Sequence, residues 1–177
     1  AVEISGAQGA TGTNGIYNLL AAGNITNAVS TATDIITAPN IILTSSSGSV
    51  GLGAAERIAV STTNLTANAT SANQDVFIQE SNGVEITGAQ GAGRTYDLLA
   101  IAGSITNATN TATDIITAPN VVFTANTGSI GSTTNRINIA ADNLTANASG
   151  ANQSVFISET DNINIAGASG TGTGDRK

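Results

Sequence analysis

The sequence lacks the residues on which most catalytic and metal sites depend. Among its 177 residues there is no cysteine, histidine, methionine or tryptophan. Without cysteine the chain can form neither a disulfide framework nor a thiolate metal site. Without histidine it lacks the commonest metal ligand and general base, which excludes the usual zinc sites and the histidine-containing catalytic triads. We therefore predict a protein that is not an enzyme and that binds no cofactor.

Charged residues are also scarce, at 10% of the chain, and they leave a formal net charge of −7. A negative surface repels phosphate backbones and anionic lipid headgroups, so we expect no nucleic acid among the partners. No apolar run approaches the roughly 18 residues of a membrane span, so we expect no membrane insertion. Low charge with many uncharged polar residues is more typical of secreted repeat proteins than of cytosolic enzymes.

The sequence repeats itself at long range. The decapeptide TATDIITAPN, at residues 31–40, returns unchanged at 111–120. Other stretches return with small changes at offsets of 79 to 82 residues. They are VEISGAQGA at 2–10 and VEITGAQGA at 84–92, NLTANA at 64–69 and 143–148, and QDVFI at 74–78 and QSVFI at 153–157.

Within each repeat, short apolar stretches recur about every 20 residues. Examples are IAV at 58–60, VFI at 76–78, VEI at 84–86 and INI at 137–139. Valine and isoleucine alternating with polar residues predict β-strands, while the Gly, Asn, Ser, Thr and Asp between them favour turns. Because there is almost no sustained 3.6-residue period, helix is not expected. The spacing predicts an all-β, right-handed parallel β-helix, or solenoid, of about nine coils of ~20 residues.

The offsets predict sequence repeats of about 80 residues. The first repeat covers approximately residues 2–83 and the second covers 84–162, and a third begins at 163–177. The chain begins and ends inside a repeat. We therefore expect residues 1–177 to form a single β-solenoid segment of a longer chain.

An antiparallel β-sandwich of two domains is the alternative fold, since it also contains many short strands. The nested short period favours the solenoid, because sandwich strands need not repeat. In the solenoid, residues 34–37 and 41–44 are consecutive strands, and Pro39 lies at the corner between them because proline cannot donate to a strand ladder. We expect the identical corner at Pro119 to lie on the same edge of the rod, four coils further along.

The aromatic residues all lie in or beside predicted strands. We assign them mainly to the core, where a narrow interior explains their scarcity. They are Tyr17, Phe77, Tyr96, Phe123 and Phe156.

Several carboxylates recur from one repeat to the next, and paired carboxylates at about 5–10 Å are what a glycosidase requires. An active site duplicated along a rod is not expected. We therefore interpret these groups as solvated charges at turns or edges, accompanied by the recurring basic pair Arg57 and Arg136. The recurring carboxylate pairs are Glu3 and Glu85, Asp34 and Asp114, and Glu80 and Glu159.

Asparagine sequons are the remaining candidate sites. Seven Asn-x-Ser/Thr sequons occur, and the recurring ones are the better candidates for glycosylation: Asn64, Asn68, Asn143 and Asn147. The alternative is that these asparagines serve turns and side-chain ladders. Neither the calcium-binding nonapeptide of β-rolls nor an EF-hand loop is present, so no metal site is predicted.

One group of motifs resembles a known family. GSIGSTTNRI at residues 128–137, NLTANA at 143–148 and VFISE at 155–159 are similar to the repeats of filamentous-haemagglutinin-like exoproteins, and the resemblance covers most of both repeats. These are giant bacterial surface proteins. The resemblance implies a right-handed β-helical shaft, export through an outer-membrane partner, and a role in adhesion or biofilm at the bacterial cell surface.

Two functions follow from this interpretation. The first is a non-enzymatic shaft of a secreted surface adhesin, whose host or matrix ligand binds elsewhere in the parent chain. The second is a repeating subunit of an extracellular structural filament or matrix fibre. In both cases the expected partners are adjacent β-helical repeats, with end-to-end or lateral self-association.

Overall fold

A computed structural model of the chain describes residues 1–28, 34–109 and 113–167, together with the backbone of residues 170–171. In these residues the secondary structure consists of strands and turns, with no helix. The strands in the first half are β1 (Val2–Ile4), β2 (Gln8–Gly9), β3 (Ile16–Ala21), β4 (Ile25–Asn27), β5 (Ile35–Thr37), β6 (Asn40–Ser45), β7 (Ile58–Ser61), β8 (Asn64–Ala69), β9 (Asp75–Glu80) and β10 (Val84–Ile86). Those in the second half are β11 (Gln90–Ala92), β12 (Thr95–Ala100), β13 (Ile105–Asn107), β14 (Ile115–Thr117), β15 (Asn120–Ala125), β16 (Ile137–Ala140), β17 (Asn143–Ala148), β18 (Ile157–Glu159), β19 (Asn164–Ile165) and β20 (Gly170–Thr171).

The strands form two long parallel sheets that the chain visits alternately. Sheet A runs in the order β2, β5, β7, β9, β12, β15, β17, and ends with β19 and β20. Sheet B runs β3, β6, β8, then β10 and β11, then β13 and β14, then β16 and β18. The pair β1 and β4 continues into sheet A through single bridges. The strand pairs of both sheets are parallel, so the fold is a β-solenoid and the sandwich alternative is wrong.

The solenoid has about seven turns, not the nine coils expected. One ladder of paired residues crosses all of them. From Val2 to Ile165, 163 positions are covered in seven steps, a mean of about 23 residues per turn. The ladder is Val2, Ile25, Val50, Val76, Tyr96, Val121, Leu144 and Ile165.

The expected coil was too short because loops add residues without adding a turn. Val50 and Ile58 belong to the same pass through sheet A, and residues 51–57 form a loop between them. The corresponding loop in sheet B separates Ile130 from Ile137. The shortest steps between paired residues, such as Ile58 to Ile78, are the ones that match the expected period of about 20.

Sequence counterparts about 80 residues apart lie in opposite sheets. The first NLTANA strand, β8, lies in sheet B, whereas the second, β17, lies in sheet A. The same exchange separates β6 from β15, the strands that follow Pro39 and Pro119. Eighty residues therefore correspond to about three and a half turns. The identical corners lie on opposite edges of the solenoid, and the expectation of a single edge is wrong.

The core lies inside the turns and is continuous along the described solenoid. Strands such as β8 and β17 alternate buried with half-buried residues, as expected when one face of a sheet points inwards. The inward positions are filled by Ile, Val, Leu and Ala. Inward side chains stack from turn to turn: Phe123 lies between Leu98 and Ala146 on neighbouring strands.

The aromatic assignments are only partly right. Tyr96 and Phe123 are fully buried, and Tyr17 packs partly buried against the core. Phe77 and Phe156 are only half-buried, and neither belongs to the core. Phe77 lies between the buried Val76 and Ile78, so strand alternation turns its ring outwards.

Phe123 and Phe77 provide a matched test of these orientations. Phe123→Ala removes a fully buried ring, and we expect it to lower the free energy of unfolding by about 3–5 kcal/mol. Phe77→Ala should cost about 1–2 kcal/mol, because its ring remains partly in water. Urea denaturation of both variants measures the difference. Equal losses would contradict the outward placement of Phe77.

Candidate functional site

The best-defined polar site is a bulge in sheet B where β10 and β11 both pair with β8. Five steps along the bulged strand, from Ile86 to Gly91, span three steps on β8, from Leu65 to Asn68. Gly88, in the middle of the bulge, has φ +69°. Glycine adopts this left-handed conformation without the steric cost that a side chain would add.

The Gln90 side chain repairs the ladder that the bulge interrupts. Its Oε1 accepts from the Ala67 backbone N–H at 2.9 Å, and its Nε2 donates to the Leu65 carbonyl. The Tyr96 hydroxyl donates to the same Oε1 at 2.6 Å. Gln90 and Tyr96 are both buried, and burial raises the pKa of the Tyr96 phenol. The cluster is a satisfied polar insertion in the core.

A carboxylate from the next turn caps the bulge. Asp114 Oδ1 accepts from the Gly88 N–H at 2.6 Å, and its Oδ2 accepts from the Thr109 N–H at 3.0 Å. The first repeat has the same contact, from the Gly6 N–H to Asp34. Asp34 and Asp114 are buried, so the interpretation of these two groups as solvated charges is wrong.

A second polar feature runs along the outer face of sheet A. The Arg57 guanidinium lies 5.9 Å from the centroid of the Phe77 ring, one turn away. It then makes two hydrogen bonds of 2.8 Å to the carboxylate of Asp97, two turns away. Bidentate arginine–carboxylate pairing fixes the arginine in one orientation. Three consecutive turns are thereby joined by side chains, and Asp97 is buried beneath Arg57.

For Arg136, the counterpart of Arg57, the described residues contain only two members of such a triplet. Arg136 lies 5.7 Å from the Phe156 ring and donates to the Ile157 carbonyl, as Arg57 does to Ile78. Arg136 remains exposed. The stacking of arginine on phenylalanine is therefore repeated. Among the described residues, the pairing with a carboxylate two turns away is found for Arg57, whose partner Asp97 belongs to the second repeat.

This difference makes Arg136 a control for Arg57. Arg57→Gln leaves the buried Asp97 carboxylate without its cation, and we expect the free energy of unfolding to fall by about 3 kcal/mol. Arg136→Gln loses an exposed stacking contact and should cost less than about 1 kcal/mol. Urea denaturation distinguishes the two. Equal, small losses would show that the Arg57 pair does not hold the turns together.

Glu80 is a fully buried carboxyl on the inward face of β9. Its Oε2 accepts from the Thr62 N–H and its Oε1 from the Asn82 N–H, each at 3.1 Å. Burial raises the pKa of Glu80 from its ordinary value of 4.5 to about 7, although the hydrogen bonds from Asn82, Thr62 and Ser81 act in the opposite direction. The interpretation of Glu80 as a solvated charge is therefore wrong. With no exposed surface, this carboxyl is not placed to contact a substrate.

The raised pKa of Glu80 predicts a pH-dependent stability. Between pH 4.5 and pH 7 the folded state holds a proton that the unfolded state has released, so stability falls as the pH rises through this window. At about 1.4 kcal/mol per pKa unit, the fall is about 3 kcal/mol. Glu80→Gln should remove this slope in urea denaturation at pH 4.5–8. Glu56→Gln, at an exposed position, controls for the change in net charge, and an unaltered slope in Glu80→Gln would contradict the assignment.

Asparagine ladders occupy the corners after the two prolines. In sheet B, Asn64 donates its amide to the Asn40 side chain at 2.9 Å. In sheet A, Asn143 donates to Asn120 at 3.1 Å and Asn164 donates to Asn143 at 3.0 Å. Such stacked amides satisfy one another along the solenoid axis.

The four candidate glycosylation sites fall into two pairs. Asn64 and Asn143 use their side-chain nitrogens in the ladders, and a glycan there would replace a ladder hydrogen. Asn68 and Asn147 lie half-buried on the outward faces of β8 and β17. The Asn68 nitrogen also donates, to the Ala89 carbonyl at 3.5 Å. Glycosylation stays a prediction for all four positions.

The remaining recurring carboxylates do not assemble into a catalytic or metal-binding cluster. Glu3 is exposed and Glu85 is half-buried, and both lie on the outward face of their strands. Glu159, the counterpart of Glu80, lies half-buried at the last described turn of sheet B. Within residues 1–28, 34–109 and 113–167, no three acidic side chains are grouped so that they could hold a metal ion.

Comparison with known proteins does not identify the chain. No protein-family profile, curated protein or solved structure matches the chain. In the part of the chain that the structure describes, there is no helix long and apolar enough to cross a membrane.

Proposed function

We propose that this chain is a structural shaft segment of a large secreted bacterial surface exoprotein of the filamentous-haemagglutinin-like kind. Its role is to form a non-catalytic shaft that projects the rest of the parent protein, and the adhesive ligand binds elsewhere in that protein. We place it outside the cell, at the bacterial surface. We expect its turns to be right-handed, the sense that parallel crossover connections usually take.

The continuous parallel ladder is the observation that supports this proposal. Two sheets run through about seven turns, and polar side chains form hydrogen bonds that hold neighbouring turns together. Gln90, Asp97 and Asp114 all bond across turns. A regular rod of about 34 Å, at ~4.8 Å per turn, suits a spacer better than a binding pocket.

A repeating filament subunit is the second candidate, and the unpaired edges of β3 and β18 favour it. Strand β3 pairs on one edge with β6, and β18 pairs on one edge with β16. Among the described residues nothing pairs with their other edges. Unpaired strand edges are templates for another chain.

Imaging on cells tests the proposal and separates its two forms. Cryo-electron microscopy of intact cells of the source organism, with antibodies against residues 1–177, is combined with mass spectrometry of the labelled protein. Isolated thin rods, each a single very long polypeptide anchored at the outer membrane, are the expected result for a shaft. Regular filaments built from short chains would establish the alternative. Labelling confined to the cytoplasm would overturn both.

A further inference from the structure

Two strands that pair with each other in the middle of the solenoid have sequence counterparts at its two ends. In the middle of the chain, β12 covers β9 in a six-residue parallel pairing from Asp75 and Thr95 to Glu80 and Ala100. The sequence counterpart of β9 is residues 154–159, at the C-terminal end of sheet B. The counterpart of β12 is β3, at the N-terminal end of the same sheet.

Both halves are less buried at the ends than in the middle. In the internal junction, Val76, Ile78, Tyr96 and Leu98 are fully buried. Their counterparts are only half-buried, although all pack against the core. These counterparts are Val155, Ile157, Tyr17 and Leu19.

A polar group at the N-terminal end shows the same incompleteness. Gln90 bonds to Tyr96 and to the strand of the preceding turn, whereas for Gln8 the structure gives the bond from Tyr17. Gln8 therefore lacks the bonds that a preceding turn supplies to Gln90 in the middle.

The number of turns allows a second copy to continue the solenoid. One sequence repeat ends on the opposite sheet, but two repeats make about seven whole turns, and residues 163–165 return to the sheet that holds Val2. A second copy displaced by about seven turns therefore presents β3 to sheet B at β18. It does so in the register of the internal junction.

We propose that a second copy of this chain binds head to tail, with its β3 paired to residues 154–159 of the first. The inference rests on the proposed structural role and assigns the contact that would join short chains into a filament. Val155, Ile157 and Glu159 then face Tyr17, Leu19 and Ala21 of the second copy.

The second copy takes the position that β19 and β20 hold on β17. In the described chain, β19 and β20 pair with β17 through two residues each, and Ile165 remains 60% exposed. The second copy supplies β1 and β2 at this place and continues into β3, which also covers β18. Both sheets are extended together. The contact is heterologous, so it repeats without closing.

The absence of native cysteine allows the register to be tested by disulfide trapping in the full chain. In the internal junction, Gln79 is opposite Leu99, and their counterparts are Ser158 and Leu20. Both counterparts lie on the outward face, so cysteine at either position leaves the core intact. The variant Leu20→Cys/Ser158→Cys places two thiols within the Cα separation of about 4.4–6.8 Å that disulfides require.

A matched control shifts one thiol along the same face. Ile16, like Leu20, is an exposed apolar residue on the outward face of β3, but it lies four residues away, about 13 Å. Under mild oxidation, Leu20→Cys/Ser158→Cys should give a ladder of reducible multimers of the 17.4 kDa chain on non-reducing gels. Ile16→Cys/Ser158→Cys should give about tenfold less.

Single variants test whether the contact is head to tail. An equimolar mixture of Leu20→Cys and Ser158→Cys should give dimers and no longer species, because each chain then carries one thiol. Monomers only, equal cross-linking in the shifted control, or equal dimerisation of Leu20→Cys alone would overturn the head-to-tail register. Those outcomes would not contradict the proposed shaft role. Labelling confined to the cytoplasm in the cell experiment would contradict the shaft role but not the head-to-tail contact.

Discussion

Each strand of this solenoid obtains its backbone hydrogen bonds from the strands one turn before and one turn after it. The constraint is strict because, among the described strands, none pairs with the strand that follows it in the chain. A turn that shifted by one residue would expose its Ile, Val and Leu side chains and bury its polar ones. Register between turns, rather than contact within a turn, therefore determines the rest of the structure.

The buried polar residues are best understood as devices that fix this register. Gln90 accepts from the Ala67 N–H and donates to the Leu65 carbonyl, so its side chain ties the bulge to the preceding turn. Asp114 reaches back to the bulge glycine, and Arg57 spans two turns to reach Asp97. A purely apolar ladder of Ile and Val would tolerate several alignments, since its side chains are alike. A charge or an amide that is satisfied in one alignment alone makes the others costly.

Much of the architecture could be predicted from the sequence, because strand period and turn residues are local signals. The strands around Pro39 and the parallel solenoid follow from them. The number of turns does not, since the loop at 51–57 looks like part of a coil when only the spacing of strand starts is counted. The duplicated decapeptide was equally misleading. Identical sequence indicates identical local structure, but its position around the axis depends on the sum of all intervening loops.

The polar site was harder to predict, and for a different reason. Gln8 and Gln90 recur in the same motif, which was a usable signal. Val76, Ile78 and Glu80 lie two residues apart, so strand alternation places the Glu80 side chain on the same inward face as the two apolar ones. No such signal connects Arg57 to Asp97, because their contact depends on the lengths of two complete turns. Long-range pairing of this kind appears only when the register is known.

The half-turn offset between repeats has a mechanical consequence. If one sheet of a repeat is slightly wider, or carries a bulkier loop, a rod of whole-turn repeats would curve steadily towards the other sheet. Here each repeat of about 80 residues exchanges the sheets, as β8 and β17 show. The curvature of one repeat is therefore opposed by that of the next. A long array would stay straight on average and would present each local surface alternately to opposite sides.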